Sequence, residues 1–151
     1  MRRLTPYLGF VALSFLAAAS GALFPPGEWY AGLRKPWFTP PDAAFPVVWS
    51  VLYLCMGISA ALVFESTRNR RVLIPWGLQL ALNALWSPLF FGLHQPLWAF
   101  AVIVLLWCAI VATLAAFGRV RPSAAWLLAP YLAWVTLAAA LNSALWYLNR
   151  A

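Results

Sequence analysis

The stretch from Val72 to Gly118 contains no Asp, Glu, Lys or Arg. It is too long for a single transmembrane helix, because about 20 helical residues cross a hydrocarbon core about 30 Å thick. Gly92 and Pro96 lie near its middle, in the sequence Gly-Leu-His-Gln-Pro, and both residue types are typical of turns. The stretch therefore predicts two membrane helices joined as a tight hairpin.

Three further apolar stretches flank this hairpin, and the five predicted spans cover about 5–24, 43–64, 72–91, 97–117 and 123–149. Apolar residues make up 65% of the chain and charged residues 9%. Soluble proteins average about 45–50% and about 25%, so a soluble fold of this composition could not cover its own surface. The chain is predicted to be all-α: one domain, residues 1–151, forming an integral membrane bundle of five transmembrane helices.

The first predicted span allows a second interpretation. It follows Arg2 and Arg3 and contains the small residues Ala-Ala-Ala-Ser-Gly at 17–21, a combination that is also typical of a secretory signal. The apolar stretch is longer than the core of a usual signal, and four more spans follow it. We therefore favour a retained helix.

The net charge of +7 would favour nucleic acid as a partner of a soluble protein. Here the basic residues lie almost entirely between the spans, where they set membrane orientation, so no nucleic-acid partner is expected. Seven basic residues fall on the side of the amino terminus, at Arg2, Arg3, Arg68, Arg70, Arg71, Arg119 and Arg121. The other side has three, Arg34, Lys35 and Arg150. This bias predicts a cytoplasmic amino terminus, with the first loop and the carboxy terminus outside.

The stretch from Glu28 to Trp49 holds three of the ten tryptophans, four of the twelve prolines and two of the three carboxylates. A flexible linker would be rich in Gly and Ser or strongly charged, and this stretch is neither. Its composition predicts that the first loop is an ordered lid over the bundle, anchored by Trp29, Trp37 and Phe38. An interfacial belt of aromatic residues is the alternative explanation.

Three predicted spans each place aromatic or amide side chains on one helical face. These residues are Phe45, Trp49 and Tyr53 in the second span, Gln79, Asn83 and Trp86 in the third, and Trp134, Ala138 and Asn142 in the fifth. Uncharged polar residues at membrane depth normally face the interior of a bundle. The amides could simply join helices by hydrogen bonds. Alternatively, the three faces could enclose a pocket for a flat apolar ligand, with Ala138 leaving room beside Trp134.

Residues for metal binding or hydrolytic chemistry are almost absent. Cys55 and Cys108 lie inside apolar runs without CxxC spacing and are predicted to be packing residues. His94 is the only histidine and falls in the predicted hairpin turn, so we expect it not to act as a haem ligand. No paired carboxylates, phosphate-binding loop or Ser/His/Asp set can be found. We expect no metal and no cofactor.

The ordered set of aromatic, proline and amide residues resembles the translocator protein family, also called tryptophan-rich sensory proteins or peripheral-type benzodiazepine receptors. The resemblance covers nearly the whole chain, and the short sequence is similar to bacterial members. The residues that carry it are Trp29-Tyr30, Lys35-Pro36-Trp37, Pro40-Pro41, Phe45, Trp49, Leu52-Tyr53, Met56, Gln79, Leu82-Asn83, Trp86, Leu89-Phe90-Phe91, Pro130-Tyr131-Leu132, Trp134, Leu141-Asn142 and Trp146.

This resemblance implies a five-helix bundle, commonly a homodimer, with a lipophilic pocket roofed by the first loop. Implied ligands are protoporphyrin IX and other tetrapyrroles, isoquinoline carboxamides and benzodiazepines. The implied binding residues are Trp29, Tyr30, Pro40, Phe45, Trp49, Tyr53, Gln79, Asn83, Trp86, Trp134, Ala138 and Asn142. Cholesterol, a ligand of animal members, is doubtful, because Ser143-Ala144 and Tyr147 occupy the aligned positions of the animal sterol motif.

Three functions fit these residues. The first is a porphyrin-binding sensor or transporter. The second is an enzyme that degrades protoporphyrin IX with light and oxygen, in which the resemblance implicates Trp49 and Trp134. The third is a small drug-efflux transporter, which usually needs a carboxylate inside the membrane, whereas all three acids here lie in loops or at span ends. We favour the first function and keep the second as the alternative.

The charge bias gives a testable orientation. In a variant lacking Cys55 and Cys108, Arg70→Cys is expected to react with an impermeant thiol reagent only from the cytoplasmic side, and Lys35→Cys only from outside. Labelling of Arg70→Cys from outside would overturn the orientation.

Overall fold

The computed structural model describes residues 4–150, and its helices confirm the all-α class. The long helices are α1 (Thr5–Leu23), α3 (Ala44–Ser66), α4 (Ile74–Ser87), α5 (Pro96–Gly118) and α6 (Pro122–Leu148). A short helix, α2 (Glu28–Gly32), lies in the lid, and a 3₁₀ turn at Arg70–Leu73 and a π turn at Pro88–Gly92 extend α4. With these turns included, the described residues contain five helical segments that are long and apolar enough to cross a membrane. Arg2 and Arg3, which enter the charge count, lie outside the described residues.

Proline marks the beginning of four of the long helices. Pro6, Pro75, Pro96 and Pro122 occupy the first or second position of α1, α4, α5 and α6. The backbone N–H groups in the first turn of a helix have no acceptor within the helix, so proline loses no hydrogen bond there. Its fixed φ also matches the helical value. These four prolines therefore lie where proline is tolerated, and they mark the beginning of their helices.

The hairpin between α4 and α5 is tight and strained at one residue. The N–H of Leu93 donates to the carbonyl of Pro88 at 2.8 Å, which closes the wide π turn. His94 follows with a φ of 53°, in the left-handed region that residues other than glycine rarely adopt. The predicted turn at Gly92–Pro96 is therefore present, and it holds His94 in one orientation at the mouth of the bundle.

The five long helices form a closed ring. Helix α1 packs against α3 and α4, α3 packs against α6, α6 against α5, and α5 against α4. Across the ring, the backbone of α4 stays apart from those of α3 and α6. Side chains must therefore fill the space between these three helices, and the buried ones include Met56, Gln79 and Tyr131.

Two contacts bring α3 close to its neighbours. A side chain built on Gly57 would lie 2.5 Å from the Cα of Val11, so glycine allows α1 to approach α3. The buried hydroxyl of Ser59 donates to the carbonyl of Ala124 on α6 at 2.7 Å. Small residues at such crossings are typical of helix packing in membranes.

Gly57→Ala is expected to destabilise the bundle by about 1–3 kcal/mol, because backbone atoms of Val11 occupy the space that the methyl group needs. Gly9→Ala is the control, since no atom lies within 4 Å of a methyl group there. Thermal unfolding in detergent would compare the two variants. Equal stability of both would show that α1 and α3 do not cross at Gly57.

Candidate ligand-binding site

The interior between α3, α4 and α6 contains a buried hydrogen-bond network of four side chains. The hydroxyl of Tyr53 donates to Asn83 Oδ1 at 2.6 Å, and Asn83 Nδ2 donates to the hydroxyl of Tyr131 at 3.1 Å. Tyr131 in turn donates to Gln79 Oε1 at 2.6 Å. We call Tyr53, Gln79, Asn83 and Tyr131 the interior network. Its bonds join α3 to α4 and α4 to α6, the two helix pairs whose backbones stay apart.

A second polar link lies nearer the lid. Trp86 on α4 donates its indole N–H to Asn142 Oδ1 on α6 at 2.9 Å. Asn142 Nδ2 then donates to the carbonyl of Pro96 at 2.7 Å, which ties α6 to the beginning of α5. The amides at positions 79, 83 and 142 thus all join helices, as the first interpretation of these residues expected. Their hydrogen bonds are compatible with either interpretation of the amides.

Aromatic rings line the approach between α3 and α6. Trp49 stacks on Tyr53 with ring centres 5.5 Å apart and meets Tyr131 edge to face at 6.2 Å. Phe45 meets Trp134 edge to face at 5.6 Å. Ring arrangements of this kind are favourable beyond the apolar area that they bury.

Trp134 also forms part of the wall of a groove between α3 and α6. The groove has a volume of about 510 Å³, and all of its lining residues are apolar: Val47, Val48, Val51, Leu52, Pro130, Ala133, Trp134 and Leu137. A second cavity of about 380 Å³ lies at the mouth, where Trp29 and His94 face the end of α6. The predicted binding residues are therefore distributed over the interior, the groove and the mouth.

The lid rests on the end of α4 through aromatic contacts. Trp29 meets Phe90 edge to face at 5.7 Å and stacks on the ring of His94 at 4.3 Å. Tyr30 meets Phe91 edge to face at 5.4 Å. The predicted order of the lid therefore has a physical basis in Trp29 and Tyr30, and His94 has a packing role that its lone position in the sequence did not suggest.

Polar contacts tie the lid to α6. The side chain of Asn149 accepts a hydrogen bond from the backbone N–H of Arg34 at 2.9 Å and donates to its carbonyl at 3.0 Å. The ammonium group of Lys35 lies 4.7 Å from the centre of the Tyr30 ring. Burial, together with the negative charge of Asp42, raises the pKa of Tyr30. The ring is a cation–π partner of Lys35.

The prediction that Trp37 anchors the lid is wrong, because 95% of its surface is exposed. The turn that contains it explains the difference. The backbone N–H and the hydroxyl of Thr39 both bond to the carbonyl of Pro36, at 3.1 Å and 2.7 Å. Trp37 lies at the tip of this turn and contacts Phe38 edge to face at 5.7 Å instead of the bundle.

Two predicted residues have less distinctive surroundings. Pro40 is half-buried in the lid, and Ala138 is half-buried on α6, where it packs against the main core. Sequence reasoning missed Asn149, and it named Tyr131 only among the residues that carry the resemblance. A single amide at the end of the last span gives no signal of its partner, whereas Tyr131 lies one helical turn before Val135 and could have been assigned to the buried face.

Within residues 4–150, no three His, Cys, Asp or Glu side chains come together in a way that could hold a metal ion. Cys108 is exposed on α5 and Cys55 is half-buried on α3, and both thiols are free.

A ring of five membrane helices, an aromatic interior joined by amides and an ordered first loop define a multi-pass membrane protein. The model of the TspO/MBR family matches residues 10–148. Three proteins are similar in sequence to this chain over most of their length. Protein CrtK of Rhodobacter capsulatus is 45% identical over 144 residues, which is 93% of this chain and 89% of that protein.

The tryptophan-rich sensory protein of Cereibacter sphaeroides is 40% identical over 136 residues, or 90% of this chain and 86% of that one. The human translocator protein is 40% identical over 149 residues, or 93% and 88%. This chain therefore belongs to the TspO/MBR family, which confirms the resemblance found in the sequence.

The lid contacts predict different effects for two tryptophans. Trp29→Ala is expected to raise the rate of release of a bound ligand by about tenfold, because it removes the stack on His94 and the contact with Phe90. Trp37→Ala is the matched control and is expected to leave the rate unchanged, since its ring is exposed. Stopped-flow release of protoporphyrin IX, the ligand that the resemblance implies, would measure both. Similar acceleration by the two variants would contradict this account of the lid.

Proposed function

We propose that this protein binds protoporphyrin IX or a related tetrapyrrole, together with other flat lipophilic molecules, and acts as a sensor or transporter of them. The observation that carries the proposal is the aromatic lining between α3 and α6, where Phe45, Trp49, Tyr53 and Trp134 make ring contacts beside a groove of about 510 Å³. Ligand sites typically measure about 300–1,000 Å³ and have apolar walls with few polar groups.

The chemistry of a tetrapyrrole complements this lining. A flat conjugated ring gains dispersion energy when it stacks on indole and phenol rings. Its nitrogen atoms and carboxylates need hydrogen-bonding partners when they leave water. Gln79 and Asn83 can supply such partners only by exchanging bonds, because both are already bonded within the interior network.

The names of the relatives are consistent with this proposal at a coarser level. One relative is called a tryptophan-rich sensory protein and another a translocator protein, names that describe sensing and translocation. The aromatic contacts and the hydrogen bonds of the interior support binding and name no reacting group. We therefore place binding ahead of degradation.

Trp49→Ala and Trp134→Ala are each expected to weaken protoporphyrin IX binding by about 1–3 kcal/mol, or roughly 5- to 150-fold in Kd, because each removes one stacking ring. Trp126→Ala is the matched control, since Trp126 lies on α6 with 77% of its surface exposed. Titration in lipid nanodiscs would measure the three affinities. Unchanged binding in both Trp49→Ala and Trp134→Ala, with folding intact, would refute the site.

Illumination of the same samples in air separates binding from chemistry. We expect the pigment bound to the parent protein to persist as long as pigment bound to nanodiscs alone. Faster loss of pigment that disappears in Trp49→Ala and Trp134→Ala would assign a degradative reaction to the site instead.

A further inference from the structure

The cavity of about 380 Å³ at the mouth of the bundle lies apart from the aromatic lining between α3 and α6. We call it the mouth cavity. Its walls come from three segments that are distant in the chain: the lid, the turn between α4 and α5, and the end of α6 with the two residues that follow it. It shares no lining residue with the interior network or with the groove beside Trp134. The mouth cavity is therefore a separate place for a ligand.

Contacts between the three segments hold the walls of the mouth cavity in place. Trp29 of the lid stacks on His94 of the turn, with ring planes 16° apart. The side chain of Asn149 makes two hydrogen bonds with the backbone of Arg34 in the lid and donates a third to the carbonyl of Leu145 at 2.8 Å. His94 keeps a φ of 53°, and such backbone conformations persist where the surrounding structure holds a residue, often at ligand sites. The cavity is therefore preformed.

The mouth cavity contains a guanidinium group and no carboxylate. Arg150 lines it, and none of its lining residues within the described part of the chain is acidic. The guanidinium group lies 4.3 Å from the centre of the Tyr147 ring and 5.3 Å from that of Trp146. Packing on aromatic faces positions a guanidinium group but leaves its charge and its planar set of N–H donors available. Gln95 adds an amide to the same lining.

We propose that the mouth cavity binds a small aromatic carboxylate. The carboxylate pairs with Arg150 through two parallel hydrogen bonds, the geometry that a guanidinium group favours, and one negative charge matches one positive charge. The indole rings of Trp29 and Trp146 in the walls favour an aromatic body. The volume lies near the lower end of the usual range for ligand sites, so the body has one or two rings. This inference goes beyond the proposed function and does not depend on it.

A carboxylate bound here also contacts the lid, because Trp29 and Leu33 line the same cavity as Arg150. A ligand that contacts the lid and the end of α6 together favours the arrangement in which the lid rests on the bundle. It stabilises that arrangement by a factor of one plus the ratio of its concentration to its Kd. The site therefore couples the order of the lid to the presence of the acid.

Two naphthalene probes of similar size test the charge preference: 2-naphthoate, which is an anion at neutral pH, and the neutral 2-naphthalenemethanol. Ligand-observed NMR in nanodiscs of phosphatidylcholine would measure their affinities. We expect the preference for the acid over the alcohol to fall by about three- to tenfold in Arg150→Gln, because the variant loses a partly exposed charged pair. Comparison of the variant with the parent cancels the different partition of the two probes into lipid.

Arg34→Gln is the matched control for charge. It removes one positive charge from the lid, which bonds to the end of α6, but Arg34 does not line the mouth cavity. Its hydrogen bonds to Asn149 come from the backbone and are kept. We expect Arg34→Gln to retain the parental preference for the acid. An equal fall in both variants would assign the preference to the general surface charge and overturn the site.

Occupation of the mouth cavity is tested by filling it. Leu97→Trp enlarges a lining side chain and is expected to weaken both probes at least fivefold. Leu93→Trp is the control, since Leu93 lies in the same turn, is 64% exposed and does not line the cavity. Parental binding in Leu97→Trp, or binding that is lost in Trp49→Ala and kept in Arg150→Gln, would place the probes elsewhere and refute the proposal.

Hydrogen exchange tests the contact with the lid. At a concentration about twice its Kd, 2-naphthoate is expected to slow amide exchange across α2 by about threefold in the parent protein. Arg150→Gln at the same concentration is expected to show less slowing. Equal slowing in parent and variant would contradict the role of Arg150. None of these measurements uses a porphyrin, so their outcome is independent of the titrations that test the proposed function.

Discussion

The interior network is the interaction on which the rest of this bundle depends. Helix α4 does not pack closely on α3 or α6, so the side chains of Tyr53, Asn83, Tyr131 and Gln79 provide the connection between them. Lipid offers these groups no alternative partner, and an unbonded amide in hydrocarbon costs several kcal/mol. The ring of helices can close only in an arrangement that lets these four side chains bond to one another. The network therefore sets the distance and register of α4 relative to its neighbours.

The two interpretations of the amides, as links between helices and as polar contacts of a ligand, are compatible with each other. Hydrogen bonds between membrane helices contribute about 0.6 kcal/mol each on average, so the three bonds of the interior network contribute about 2 kcal/mol together. A ligand that stacks on Trp49 and bonds to Gln79 or Asn83 must offset this amount and also leave no displaced group of the network unbonded. Residues that hold the empty bundle together can thus serve as the polar contacts of the occupied one. Under the proposed function, the side chains that link the helices here would also supply the polar contacts of a bound ligand.

Much of this architecture could be predicted from the sequence, because length and charge decide where a chain can cross a membrane. The uncharged stretch from Val72 to Gly118 and its breakers at Gly92 and Pro96 predicted the hairpin correctly. Periodicity also placed Gln79 and Asn83 on a buried face. It could not assign their partners, since the spacing along one helix does not tell which helix lies opposite. Tyr131, which bonds to both amides, was therefore absent from the predicted binding residues.

The contacts of the lid could not be predicted from the sequence either. Aromatic content alone did not distinguish Trp29, which packs on His94, from Trp37, which lies at the tip of a turn and is exposed. The turn depends on Thr39, a polar residue whose bond to the carbonyl of Pro36 is decided by local geometry. The attachment of the lid to Asn149 joins residues 115 positions apart in the chain. Neither contact leaves a periodic pattern that a sequence can display.

Trp86 connects these two parts of the molecule. Its ring packs against both buried clusters, and its N–H bonds to Asn142 in the interior while its face stacks on Phe90 at 4.9 Å. Trp29 and Tyr30 of the lid each contact Phe90 edge to face. A ligand that displaces Trp86 or breaks its bond to Asn142 must therefore disturb the surface on which the lid rests. Trp86 therefore connects the interior to the surface on which the lid rests, whereas the residues that line the groove beside Trp134 include neither Trp86 nor Trp29.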